Sequence, residues 1–241
     1  SAVRIRPSLP SIKKNIKFMK KKYIFFLKRL LYYIYGEKFY KRLNYDWKNY
    51  PSRIEIIQNI INKNNYKKYL EIGCDKDENF SKIKVEKKVG VDPIRGGTMR
   101  MTSDEFFNSN KETFDIIFLD GLHTYEQTIA DIDNSLNIIN EGGVIIIHDC
   151  LPKKIWNQIV PRVYGHWNGD VWKAIVHSRT YKNADTYTCI ADHGLGIIFK
   201  RRNRNQLNLN QNFKLLKFSD YYNNHKKFMN LINHQDIDQI F

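Results

Sequence analysis

Apolar positions recur along this chain with two different periods. From residue 11 to 35 the period is helical: Ile12, Ile16, Met19, Tyr23, Phe26, Leu30 and Ile34 fall at steps of three and four and make one apolar stripe. Lys13, Lys14, Lys17, Lys20, Lys21 and Lys28 lie mostly off that stripe, and Gly36 stands where a helix stop is expected. A second amphipathic helix is expected over 52–64, with Ile54, Ile57, Ile60 and Ile61 inward. Beyond it the period shortens. Strands are expected at 69–72, 88–91, 114–119 and 144–148; the last two are continuous β-branched and aromatic runs, as in central parallel strands covered on both faces. A helix over 124–140 separates them and closes at Gly142-Gly143. A further helix is expected over 167–178, then strands at 186–190 and 194–200 joined by a tight Asp192-His193-Gly194 turn.

Strand–helix alternation ending in a hairpin predicts an α/β fold: a Rossmann-like, doubly wound, mostly parallel sheet with a terminal antiparallel hairpin, preceded by N-terminal helices. Three parts are expected: a basic helical extension over 1–50, a ligand-binding domain over 51–200, and a polar, Asn-rich extension over 201–241 with a short helix over 220–232. Residues 1–10 read as unstructured. The 241 residues suit one sizeable α/β domain with appendages.

Charge sharpens this division. The net charge of +15 is distributed as +12 over 1–50, −1 over 51–200 and +4 over 201–241. The basic footprint therefore lies on the ends, whereas a nucleic-acid enzyme carries it around its active site. The basic helix can lie on an anionic membrane surface, or pack on the domain or a second subunit with its lysines in water. No run of eighteen uncharged apolar residues exists, and no secretory signal is read at the N-terminus, so a cytoplasmic protein is expected, with peripheral membrane contact as the open variant. Cys74, Cys150 and Cys189 are scattered and lack CxxC spacing, against a disulfide framework or a thiolate zinc site.

Two groups of residues carry chemistry. The first is Glu71-Ile-Gly73-Cys-Asp75-Lys-Asp77, a strand running into a glycine turn, followed about twenty residues on by Gly90-Val-Asp92. Ligands of doubly wound sheets bind at such strand ends, and an acid after the second strand can accept both hydrogen bonds of a ribose diol. Asp75 and Asp77 stand where a dinucleotide fingerprint needs glycines, and would repel a diphosphate. They suit a cationic ligand instead, which favours S-adenosylmethionine (SAM), with its sulfonium and ammonium, over NAD. The second group is Asp120, His123, His148 and Asp149, expected at the ends of adjacent central strands. Two acids and a histidine can make an open oxygen/nitrogen site for Mg²⁺ or a related divalent cation; equally, His148 and Asp149 can simply orient loops.

These motifs, with Ser103-Asp104, the segment Phe114-Asp-Ile-Ile-Phe-Leu-Asp120-Gly-Leu-His123-Thr-Tyr-Glu126 and Gly142-Gly-Val-Ile-Ile-Ile-His148-Asp149, resemble the class I SAM-dependent methyltransferases. The nearest subgroup has an LDGxHxYE segment and includes sugar and macrolide-sugar O-methyltransferases; the resemblance covers roughly residues 50–200. It implies SAM as cofactor, bound by Glu71, Gly73, Asp92, Ser103, Asp104 and Asp120, with Asp92 on the ribose and Asp104 at the adenine. It further implies Asp120, His148 and Asp149 as metal ligands and His123, with Asp120, as the catalytic pair, His123 being the general base. His148 stands where many relatives have an acid.

The expected function is O-methylation of a small hydroxyl-bearing acceptor, a sugar, nucleotide-sugar or other glycan precursor. Trp167 and Trp172 can wall an acceptor site or belong to the core, and Gly96-Gly97 can form a loop over the cofactor or a subunit contact, in a homo-oligomer for example. A nucleic-acid methyltransferase is the first alternative. Against it, the neutral middle has no (N/D)PPY motif, and the 124–140 helix has no lysine for a Lys-Asp-Lys-Glu tetrad. A non-catalytic SAM- or nucleotide-binding module is the second, disfavoured by the crowding of acids and histidines at two strand ends.

Overall fold

A computed structural model describes residues 23–163 and 165–241. Residues 1–10 and the first half of the 11–35 stripe lie outside the described residues; residues 23–35 are helical (α1). The helices that follow are α2 (Arg53–Asn64), α3 (Ser103–Ser109), α4 (Tyr125–Ile138), α5 (Ile155–Gln158), α6 (Val171–Ser178) and α7 (Phe218–Met229). They surround one seven-stranded sheet of β1 (Lys68–Ile72), β2 (Lys87–Val91), β3 (Phe114–Leu119), β4 (Ile139–Ile147), β5 (Asp185–Cys189), β6 (Leu195–Phe199) and β7 (Leu231–Ile232), in the order β2-β1-β3-β4-β6-β5-β7. The first four strands are parallel, and β6 runs antiparallel to β4 and β5. The chain has the Rossmann-like fold that its pattern predicts. No helix among the described residues is long and apolar enough to cross a membrane.

The apolar runs of β3 and β4 are continuous because both sheet faces are covered. Ile116, Phe118, Val144 and Ile146 face one side with Ile56, Ile57, Ile60 and Ile61 of α2; Ile117, Leu119, Ile145 and Ile147 face the other with α4, α6 and α7. All eight strand residues are buried, each contributing roughly 1.5–3 kcal/mol of transfer free energy. Helix starts follow the sequence closely: Ser52 and Glu55 form a capping box on α2, and the Thr124 side chain caps α4.

Four local expectations shift. Ile56, rather than Ile54, joins the buried stripe of α2. Helix α4 stops at Ile138, because Ile139 turns extended and opens β4 opposite Phe114. Helix α6 starts at Val171 rather than 167, leaving 167–170 free to pass over the strand ends. Within 201–241, α7 buries Phe218, Tyr221, Phe228 and Met229, and the two-residue β7 pairs with β5.

Candidate functional site

Parallel order brings the carboxyl ends of β1, β3 and β4 together. Gly73 follows β1 with φ +91°, and a Cβ there would lie 2.3 Å from the Asp120 carbonyl oxygen, so the turn is confined to glycine by close approach of the β3 end. Asp120 N donates to Ile72 O (2.8 Å) and His148 N to Leu119 O (3.0 Å), locking the three ends in step. Beside them opens a cavity of about 270 Å³, lined by Glu71, Gly73, Asn79, Asp120, His123, His148 and Asp149 among others. A larger hollow of about 530 Å³ beside α2 is lined by residues such as Pro51, Asn59, Lys63 and His234; it brings together none of the acid–histidine pairs found at the strand ends.

The four residues expected to gather do so. His123 Nε2 lies 3.1 Å from Asp120 Oδ1, and its Nδ1 lies 3.3 Å from Asp149 Oδ2 without a hydrogen bond. His148 Nδ1 lies 3.1 Å from the same Asp120 oxygen, and its Nε2 lies 3.3 Å from Asp192 Oδ1. Asp120, His123 and Asp149 present ligand atoms all within 4.8 Å of one another, and His148, the histidine that the resemblance puts among the ligands, has its Nδ1 3.1 Å from Asp120 and 3.8 Å from Asp149.

Burial and charge compete at each group. Burial would raise the Asp120 carboxyl, but His148 and His123 outweigh it and hold it well below the ordinary carboxylate range. Burial would lower both histidines, yet Asp120 and Asp149 raise them, His148 far above its ordinary value. Asp192 is likewise held down, against burial, by His148 and Arg53. At Glu71 burial wins: its carboxyl is pushed up to about 7, despite hydrogen bonds from Tyr69 Oη (2.5 Å) and Asn79 Nδ2 (2.7 Å).

Asp192, Arg53 and Asn168 complete the site without having been read from the sequence. Antiparallel pairing sets Gly196 of β6 against Ile147 of β4, which carries the preceding turn to the end of β4. There Asp192 (φ +37°) meets His148 and accepts from Arg53 N (2.7 Å). The signal available was polar side chains in a turn where glycine would be easier. Asn168 Nδ2 donates to Asp149 Oδ1 (2.7 Å). The two tryptophans divide: Trp167 stacks on His123 (5.6 Å, 19°), while Trp172 is fully buried core. Gly169 permits that passage, since a Cβ there would collide with the His123 carbonyl oxygen.

Other expected residues stand further out. Asp92 accepts from Asp75 N, Ile94 N and Arg95 N (2.8–2.9 Å), which leaves room on its oxygens for one more donor. Ser103 and Asp104 both accept from Gln127 Nε2; like Asp92, they do not line the cavity. The two acids read as complements to a cationic ligand have protein partners: Asp75 pairs with Arg95, and Asp77 accepts from Gly97 N (2.7 Å). Gly96-Gly97 is accordingly a tight turn docked on the glycine loop. Asp75 still lines the cavity, together with Glu71, Glu78, Asp120 and Asp149.

Residues 56–150 match the model of a methyltransferase-domain family. No curated protein matches the chain. Among solved structures, an O-methyltransferase from Bacillus cereus in complex with SAH is 16% identical (TM-score 0.43, 61% of this chain and 79% of that one). A putative caffeoyl-CoA O-methyltransferase from Staphylococcus aureus is 15% identical (TM-score 0.46, 76% and 99%). The SAH-bound methyltransferase PaMTH1 of Podospora anserina is 12% identical (TM-score 0.47, 83% and 100%). The Gly73 turn, the acid ending β2 and the acid–histidine ends of β3 and β4 all lie inside the segment that matches the methyltransferase-domain family.

Proposed function

We propose that the chain is a SAM-dependent O-methyltransferase of a small hydroxyl-bearing acceptor, a sugar or other glycan precursor, with His123 as general base. The observation that carries this reading is His123 held between Asp120 and Asp149 beneath Trp167, at the mouth of the strand-end cavity. The cavity suits a cationic ligand: Glu71 and Asp120 line it, and the buried Asn79 Oδ1 lacks a hydrogen-bond partner and is free to accept from an ammonium. Asp92 keeps accepting capacity for a ribose hydroxyl, and Ser103 and Asp104 stand ready for the adenine end.

The cofactor supplies an electrophilic methyl group. An acceptor hydroxyl is a poor nucleophile until its proton is taken, and a positioned base contributes about 10²–10⁴-fold. Asp120 holds the Nε2 proton of His123 and so leaves the Nδ1 lone pair facing Asp149. Two lone pairs 3.3 Å apart oppose each other, and a proton arriving between them relieves that opposition. Trp167 fixes the imidazole plane and shields it from water. His148, raised far above its ordinary value against burial by Asp120, Asp149 and Asp192, partly offsets the charge of those acids.

The same opposition favours a second reading, in which a divalent cation sits among Asp120, Asp149 and a histidine nitrogen. The cluster geometry points to His123 as that histidine, the resemblance to His148. Such an ion would lower the pKa of an acceptor hydroxyl. Isothermal titration and turnover assays test both readings. SAM should bind and NAD should not. His123→Ala should lower turnover by about 10²–10⁴-fold but leave SAM binding, and chelation should leave turnover intact in the base-only reading. Tight NAD binding without SAM binding would overturn the assignment.

A further inference from the structure

Helix α1 is turned inside out. A surface helix normally buries its apolar stripe and shows its charges to water. Here Arg29 and Tyr32 face the domain, Arg29 Nε donating to Val163 O (3.0 Å) and Tyr32 packing edge-on against Trp156 (5.6 Å). Phe26, Leu30, Leu31, Tyr33, Ile34 and Tyr35 are between 47% and 84% exposed, with Phe26, Leu30 and Tyr33 edging a hollow beside Trp156. A contiguous apolar face of this kind marks an interaction surface. Cations flank it in the sequence: residues 1–50 carry net +12, and Lys38, Lys41 and Arg42 follow the helix directly.

We propose that α1 docks the enzyme on an anionic lipid surface, lying in the plane of the interface. Its outward leucines, isoleucine and phenylalanine would enter the acyl boundary, its tyrosines the headgroup level, and the flanking lysines and arginine would meet lipid phosphates. Charge argues for this occupant over a second copy of the chain, because pairing two such faces would bring two +12 segments together. It argues against nucleic acid as well, since the outward face of α1 presents aromatic and aliphatic groups where phosphate contacts need cations. The methyltransferase site is not involved.

Co-sedimentation of the full chain with vesicles of phosphatidylcholine, alone or mixed with phosphatidylglycerol, tests the proposal. Binding is expected only to the mixed vesicles, and should weaken as salt is raised. Phe26→Ser with Leu30→Ser should cut that binding about tenfold or more. So should Lys38→Glu with Lys41→Glu and Arg42→Glu. Both variants should keep the wild-type circular dichroism and SAM affinity. Sedimentation with neither vesicle, binding indifferent to lipid charge, or an α1-dependent dimer that ignores vesicles would each overturn the proposal.

Discussion

Glu71 and Asp120 are carboxylates at the ends of the neighbouring parallel strands β1 and β3; both line one cavity, yet they have opposite acidities. Around Asp120 stand two histidines and, beyond them, Asp149 and Asp192, so its charge is answered at hydrogen-bond distance. Around Glu71 stand a tyrosine hydroxyl and an amide, neutral donors that do not offset the loss of water. Burial alone therefore does not determine protonation; the partner does. The β3–β4 end is built for a group that stays ionised. The β1 end holds a proton near neutrality and has an acid to offer an arriving cation.

Four experiments can break or sharpen that contrast. The largest effect belongs to the β3–β4 end. His123→Ala should lower turnover by about two to four orders of magnitude with SAM affinity nearly unchanged, measured by single-turnover kinetics and calorimetry. Near-normal turnover on the true acceptor would remove His123 as base.

Next comes the pH response of the β1 end. Glu71 is protonated in both states below its ordinary 4.5, and between there and about 7 only the folded protein keeps the proton. Its stabilising contribution is thus full below 4.5 and is lost as pH rises through about 7. Glu71→Gln should cancel this, gaining on the wild type by on the order of 3 kcal/mol between acid and mildly alkaline pH in denaturant titrations. Asp120 has the opposite sign: its contribution is present above 3.8 and lost as pH falls below it. A pH-independent difference between Glu71→Gln and wild type would show that folding leaves the Glu71 carboxyl at its ordinary acidity.

Smaller is Asp192→Asn, which removes a charge from His148 and Arg53 and should cost about 1–3 kcal/mol of stability at neutral pH, read by thermal or chemical unfolding. Turnover should fall less than in His123→Ala; an unchanged melting temperature would argue that the His148–Asp192 contact carries no energy. Smallest is Asn79→Ala. Asn79 pulls the Glu71 carboxyl down, so its loss should raise the Glu71 midpoint by up to about one pH unit. A fall in that midpoint, followed by carboxyl NMR, would contradict the assignment of Asn79 as a donor.

Much of the fold and half of the site were legible in the residues themselves. Ser52 and Thr124 cap helices where capping chemistry places them, and the 114–119 and 144–148 runs are central strands because only a doubly covered strand tolerates unbroken apolar sequence. Gly73, Asp120, His123, His148 and Asp149 could be placed at one sheet edge because parallel strands separated by helices all end on the same side. Each of these is a local or periodic property, written in adjacent residues. What only the tertiary structure decided depends on segments far apart in the chain. Asp192 reached His148 because β6 inserts antiparallel beside β4, and nothing in the turn itself specifies that partner. Asp75 and Asp77 found protein partners in Arg95 and Gly97, about twenty residues away, although Asp75 still lines the cavity. β7 was invisible because two residues carry no period. The apolar stripe of α1 was plain in the sequence, but periodicity says only that a helix has two faces; which face meets the domain was set by Val163 and Trp156.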